Sequence, residues 1–186
     1  RPDYFFSLYW LAQNTPKGST IVEIGCHMGD STLCLALGAE ETNSHVVSID
    51  PVFRYGEIIV GDAHSEVGHM YTSTYPSVMD RLLQWGLAQR VTIIPEYSFN
   101  VLPTWGDAPL SLLVVDGEHT HDAVQKDCAW LAKIPTGGRA AFDDWFDIIE
   151  QSVKDYIRDM PEWRILHEST HGHLANGFNL TVLEKE

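Results

Sequence analysis

Residues 20–32 read Thr20-Ile21-Val22-Glu23-Ile24-Gly25-Cys26-His27-Met28-Gly29-Asp30-Ser31-Thr32. A β-branched run closes on an acid and a glycine, and a second glycine follows four positions later. A helical pattern then starts at Asp30. This is the order of a buried strand, a tight glycine turn and a helix N-terminus. Glycine lets a ligand approach bare backbone, and the first turn of a helix offers unpaired N–H groups to a polar or anionic group. Gly25, Gly29 and Ser31 are therefore candidate binding residues. The glycine spacing is not G-x-G-x-x-G, so the turn is not a dinucleotide fingerprint.

Outward from this stretch, strands and helices alternate. Tyr4 to Leu11 is aromatic-rich and predicts a covering helix within an N-terminal segment, 1–19. Ser31 to Ala39 predicts a packed helix, His45 to Ile49 a second strand closed by Asp50, and Val78 to Leu87 a helix. Residues 51–76 have little periodicity and read as a loop or lid. Val91 to Pro95 predicts a third strand. The almost wholly apolar Leu110 to Val115 predicts a fourth, buried on both faces. Asp122 to Lys133 is helical, with Val124, Cys128 and Leu131 on one stripe. Gly138 to Phe142 predicts strand five and Ile148 to Met160 an amphipathic helix. Trp163 to His167 and Phe178 to Leu183 predict two final strands with no helix between them, hence an antiparallel edge pair. The expectation is an α/β fold: one domain over 1–186, with a seven-stranded, mostly parallel sheet and helices on both faces.

The 186 residues suit one core, and 44% apolar content lies in the globular range. Twelve basic against 26 acidic residues give a net charge of −14, which argues against a phosphate-tracking nucleic-acid surface. The same charge does not oppose a cationic small molecule. No apolar run spans a membrane and no secretory signal pattern is visible. Cys26, Cys34 and Cys128 lack metal-type spacing, so a reducing, cytoplasmic compartment is expected.

In an open parallel sheet, ligands bind beyond the carboxyl ends of the strands, near the switch point. Glu23, Gly25 and Gly29 fall there, as do Asp50 after strand two and Asp116 after strand four. Asp50 can accept from ribose hydroxyls, or it can cap the turn before Pro51. Glu23 can bond the loop backbone and so shape the turn. Strands four and five are neighbours in the expected order, about 4.8 Å apart, which brings Asp116 towards Asp143 and Asp144. Three carboxylates in one crevice repel one another unless a cation or protons intervene. Magnesium or another hard divalent ion, with oxygen ligands at about 2.0–2.1 Å, answers that chemistry. Adjacent strand residues face opposite ways, so Asp143 and Asp144 can both ligate only if the strand has ended; otherwise the pair can cap the following helix.

The Glu23-x-Gly25 turn with Asp50, 27 positions apart, resembles motif I and the ribose acid of the class I S-adenosylmethionine-dependent methyltransferases. The resemblance covers about 20–184 and implies their Rossmann-like sheet and cofactor. It places Ser98, after strand three, near the adenine amino group, although Glu96-Tyr97-Ser98 replaces the Gly-Asp many relatives carry. Asp116-Gly117-Glu118-His119 and Asp143-Asp144 resemble the metal-dependent macrocin- and mycinamicin-type sugar O-methyltransferases. That resemblance implies Asp116, Asp143 and Asp144 as metal ligands and His119 as general base; Asp143 departs from the usual Glu. Asp116 can instead touch the cofactor amine, as in metal-free relatives.

The implied activity is O-methyl transfer to a small hydroxylated acceptor, a sugar or polyphenol-like compound, with no nucleic-acid or membrane partner. A homo-oligomer is allowed by analogy with relatives that close the site with a partner chain. A cofactor-binding protein without turnover and a metal-independent methyltransferase stay open as alternatives. A nicotinamide-dependent oxidoreductase is disfavoured by the missing fingerprint glycine.

Overall fold

The strands assemble around the predicted apolar run. Leu110–Val115 (β4) is buried at all six positions because both its faces are covered. It pairs in parallel with Thr20–Ile24 (β1) on one side and Arg139–Phe142 (β5) on the other. His45–Ile49 (β2) and Val91–Ile94 (β3) extend the sheet beyond β1. The computed structural model describes residues 2–51, 75–108, 110–167 and 180–186.

All seven strands form one sheet in the order β3-β2-β1-β4-β5-β7-β6. Trp163–His167 (β6) and Thr181–Lys185 (β7) form the expected antiparallel pair. β7 also pairs antiparallel with β5, so it is inserted between β5 and β6 and alone runs against the other strands. This is the seven-stranded, mostly parallel Rossmann-like sheet that the sequence predicts.

Two-residue alternation along the strands divides the core. Ile21, Val46, Leu112 and Val114 face a layer made by Pro2–Gln13 (α1), Asp30–Thr42 (α2) and Tyr75–Gln84 (α3), which supply Leu8, Leu35 and Leu82. Val22, Val47, Leu113 and Phe142 face the other layer, where His121–Cys128 (α5) and Asp147–Ile157 (α6) supply Val124, Cys128 and Val153. Each fully buried Leu or Val contributes on the order of 1.5–3 kcal/mol.

Two local outcomes differ from the sequence reading. A one-turn helix, Ser98–Val101 (α4), follows β3 where a loop was expected. The helix expected over 122–133 ends at Cys128 and tightens into 3₁₀ turns over Ala129–Lys133. For Trp145 the sequence favours packing over a place in an aromatic acceptor pocket, and for His121 a solvated position; both agree with the structure. Trp145 is buried in the core, and His121 is exposed, with Nδ1 2.8 Å from Ser152 Oγ. The lid expected over 51–76 lies almost wholly outside the described residues, with Tyr55, Tyr71, His64 and His69; so do His171 and His173. Among the described residues, no helix is long and apolar enough to cross a membrane.

Candidate active site

The order of the sheet reverses between β1 and β4, and a cleft of about 350 Å³ opens at the carboxyl ends of these two strands. Its floor is the glycine turn. Gly25, His27 and Gly29 have φ of 83°, 45° and 78°, so the chain passes through the left-handed region at every second residue. Glycine is required at 25: a Cβ there would lie 2.1 Å from the carbonyl oxygen of Asp116. That close approach brings the ends of β1 and β4 together, and the Asp116 N–H donates to the Ile24 carbonyl at 2.9 Å.

Two acids hold the turn from behind. Asp50 is buried at the end of β2, and its Oδ2 accepts from the backbone N–H groups of Cys26 (2.8 Å) and His27 (3.0 Å). Glu23 is fully buried; its Oε2 accepts from Thr32 Oγ1 at 2.6 Å and from Ser48 Oγ. Burial raises the Glu23 carboxyl above its ordinary range, and the hydroxyls of Ser31, Ser48 and Thr32 act in the opposite sense. Burial also pushes the Cys26 thiol up, so it is no thiolate nucleophile.

Of the expected cofactor residues, Gly25, Ser31 and Asp116 line the cleft. Glu23, Gly29 and Asp50 shape the loop without lining it. Ser98 is turned away: at the start of α4, its hydroxyl donates to Asp127 Oδ1 on α5. Burial, with Glu118 nearby, pushes the Asp127 carboxyl up to about 6.

The three expected acids do share the cleft. β5 ends at Phe142, the Asp143 N–H donates to the Val115 carbonyl at 3.0 Å, and Asp144 then turns into the left-handed region with φ 49°. The turn breaks the strand alternation, so Asp143 and Asp144 both line the cleft with Asp116. Neither acid caps α6, which follows Phe146 with no side-chain cap. Burial, followed by the nearby Asp143 carboxylate, pushes Asp116 up to about 8, with Tyr4 opposing through a hydrogen bond.

This arrangement does not fit the expected metal site. Among the described residues, no three His, Cys, Asp or Glu side chains are placed to hold an ion. Asp116 Oδ2 is also already engaged, accepting from the Tyr4 hydroxyl at 3.1 Å. Sharing a cleft is a looser condition than converging on one point, and strand adjacency predicts only the former. His119 stands at the rim, 40% exposed, with Nδ1 3.7 Å from Asp144 Oδ2.

The sequence reading missed Tyr4, Phe5, His27 and Met28, which also line the cleft. His27 and Met28 lie between the two glycines, so their place in the motif was an available signal. Tyr4 and Phe5 had only their place in an aromatic-rich helix.

A family profile described as "Methyltransferase domain" matches residues 22–145, from within β1 to just past β5. Among solved structures, the O-methyltransferase TomG from Streptomyces achromogenes, involved in tomaymycin synthesis and in complex with SAM, superposes with a TM-score of 0.69 at 20% identity, covering 99% of this chain and 79% of that chain. The O-methyltransferase NovP gives 0.70 at 16% identity, covering 97% and 78%. An rRNA methylase from Streptococcus thermophilus gives 0.68 at 18% identity, covering 100% and 96%. At these identities the likeness is one of fold.

Proposed function

Because the chain belongs to the methyltransferase-domain family, and is a class I S-adenosylmethionine-dependent methyltransferase, we propose that it methylates a hydroxyl of a small molecule, a sugar or polyphenol-like compound. The observation that carries this reading is the meeting of two parts in one cleft. Asp144 lines the cleft beside the glycine turn, and its Oδ2 lies 3.7 Å from Nδ1 of the His119 imidazole.

Gly25, Ser31 and Asp116 would hold S-adenosylmethionine, with Glu23, Gly29 and Asp50 fixing the loop and Ser98 placed beyond it. The cleft's acids suit a ligand carrying an ammonium and a sulfonium. When bound, the donor supplies a methyl carbon activated by sulfonium and departs as a neutral thioether, so no general acid is needed. The chain's own task is then to orient the acceptor and remove one proton. With Nδ1 of His119 facing Asp144, Nε2 is the atom that takes the hydroxyl proton. The Asp144 carboxylate stabilises the imidazolium that results. Alignment of the two reactants contributes up to roughly 7–11 kcal/mol, and the base about 10²–10⁴-fold.

The test is incubation with methyl-labelled S-adenosylmethionine and a panel of hydroxylated compounds, read by mass spectrometry. Label on an acceptor oxygen is expected. Label on nitrogen or carbon, or no transfer to any member, overturns the O-methyl reading.

A second reading adds a divalent ion, favoured by the three carboxylates on one cleft wall. The folded arrangement gives it no cage, and no step is assigned to it. Transfer measured with excess EDTA and then with added magnesium separates the readings. A saturable magnesium requirement would restore Asp116, Asp143 and Asp144 as ligands; indifference to both would remove the ion.

A further inference from the structure

The outer wall of the cleft is built by α1. Its seat is fixed by Gly38 of α2, where a Cβ would lie 2.4 Å from the Tyr9 carbonyl oxygen and 2.7 Å from Ala12 Cβ. The two helices therefore meet at close to backbone contact, with Leu8 and Ala12 fully buried between layers. Tyr4 lies one turn before Leu8 on the same face and is 4% exposed. Its ring lines the cleft, and its phenol donates to Asp116 Oδ2 at 3.1 Å, across 112 positions of sequence. On its other side, Asp116 is held through its backbone against Gly25.

We propose that Tyr4 is a positioning residue for the methyl donor, fixing through its hydroxyl the rotamer of the Asp116 carboxyl that faces the donor's cationic end. This rests on the reading of the cleft as the donor site. A carboxyl tethered at one oxygen presents the other in a set direction, so binding does not have to restrict that rotation. Phenylalanine would fill the same space and keep the packing of α1, so the hydroxyl is what the proposal assigns to function. Tyr4 acts through Asp116, which makes its effect conditional on that residue.

The experiment is a double-mutant cycle on binding of S-adenosylhomocysteine, measured by calorimetry on the whole chain. Tyr4→Phe should weaken binding by about 3–10-fold, the range of one tethering hydrogen bond. In Asp116→Ala, which removes the acceptor, the same change should add nothing further. Leu8→Val, which loosens α1 without touching Asp116, should lower the melting temperature and leave the affinity unchanged. Wild-type affinity in Tyr4→Phe overturns the inference, as do losses that multiply in the double variant or an equal loss in Leu8→Val. Wild-type protein that takes up no S-adenosylhomocysteine overturns the donor-site reading, and the inference with it.

Discussion

Glu23 and Thr32 are joined across the β1–α2 junction by a 2.6 Å hydrogen bond in which the threonine hydroxyl donates to Glu23 Oε2. Ser48 on β2 donates to the same oxygen. One buried acid thus ties a strand, its neighbour and the helix that carries the glycine turn. Glu23→Ala leaves a void and two buried hydroxyls without their acceptor. It should cost about 2–4 kcal/mol in urea denaturation. Glu23→Gln keeps the volume and one acceptor oxygen and should cost clearly less. Equal losses in the two variants would show that the carboxyl's hydrogen bonds are not what holds the junction.

Gly25→Ala tests the close approach of β1 and β4. The new methyl would sit 2.1 Å from the Asp116 carbonyl oxygen, at a φ of 83°. The left-handed backbone alone costs about 1–2 kcal/mol for a residue with a Cβ, and the overlap forces the turn to move. Lower stability and loss of S-adenosylhomocysteine binding are expected together, read by denaturation and calorimetry on the same preparation.

His119→Ala should lower kcat by about 10²–10⁴ while leaving donor affinity intact, because the imidazole acts on the acceptor's proton. Asp144→Asn should lower kcat by a smaller factor, since the carboxylate supports the imidazolium. Steady-state kinetics with each substrate varied in turn checks both. A loss confined to donor KM in His119→Ala would assign it to binding.

Asp127 gives the fold a pH dependence. Burial raises its carboxyl from 3.8 when free to about 6 when folded, so the folded chain binds the extra proton between these values. Its stabilising contribution is complete below about pH 4 and is lost as pH rises through about 6. Asp127→Asn keeps an acceptor for Ser98 and cannot ionise. Its melting temperature should therefore fall less than that of the wild type between pH 4 and pH 7. Parallel curves for the two proteins would contradict the assignment.

How much of this the sequence carried depends on the range of the interaction. β4 and β6 stand where the apolar pattern predicts them, and the switch point follows from strand order alone. The four residues of α4 are too few to show a period, and a stripe cannot separate the last α-helical turn from the 3₁₀ turns after Cys128. Asp50 was legible as an acid ending β2. Its commitment to the N–H groups of Cys26 and His27, 24 and 23 positions away, was not. The turn at Asp144 that brings both acids of the pair into the cleft leaves no local pattern, and neither does the reach of Tyr4 to Asp116.

The account depends on the methyl donor occupying the cleft between the glycine turn and Asp116. A crystal structure with S-adenosylhomocysteine measures this most directly. The account predicts the amino-acid end of the ligand against Gly25 and Asp116, beneath Tyr4. Ligand density elsewhere on the sheet, with Gly25 and Asp116 making no contact to it, would contradict the claim.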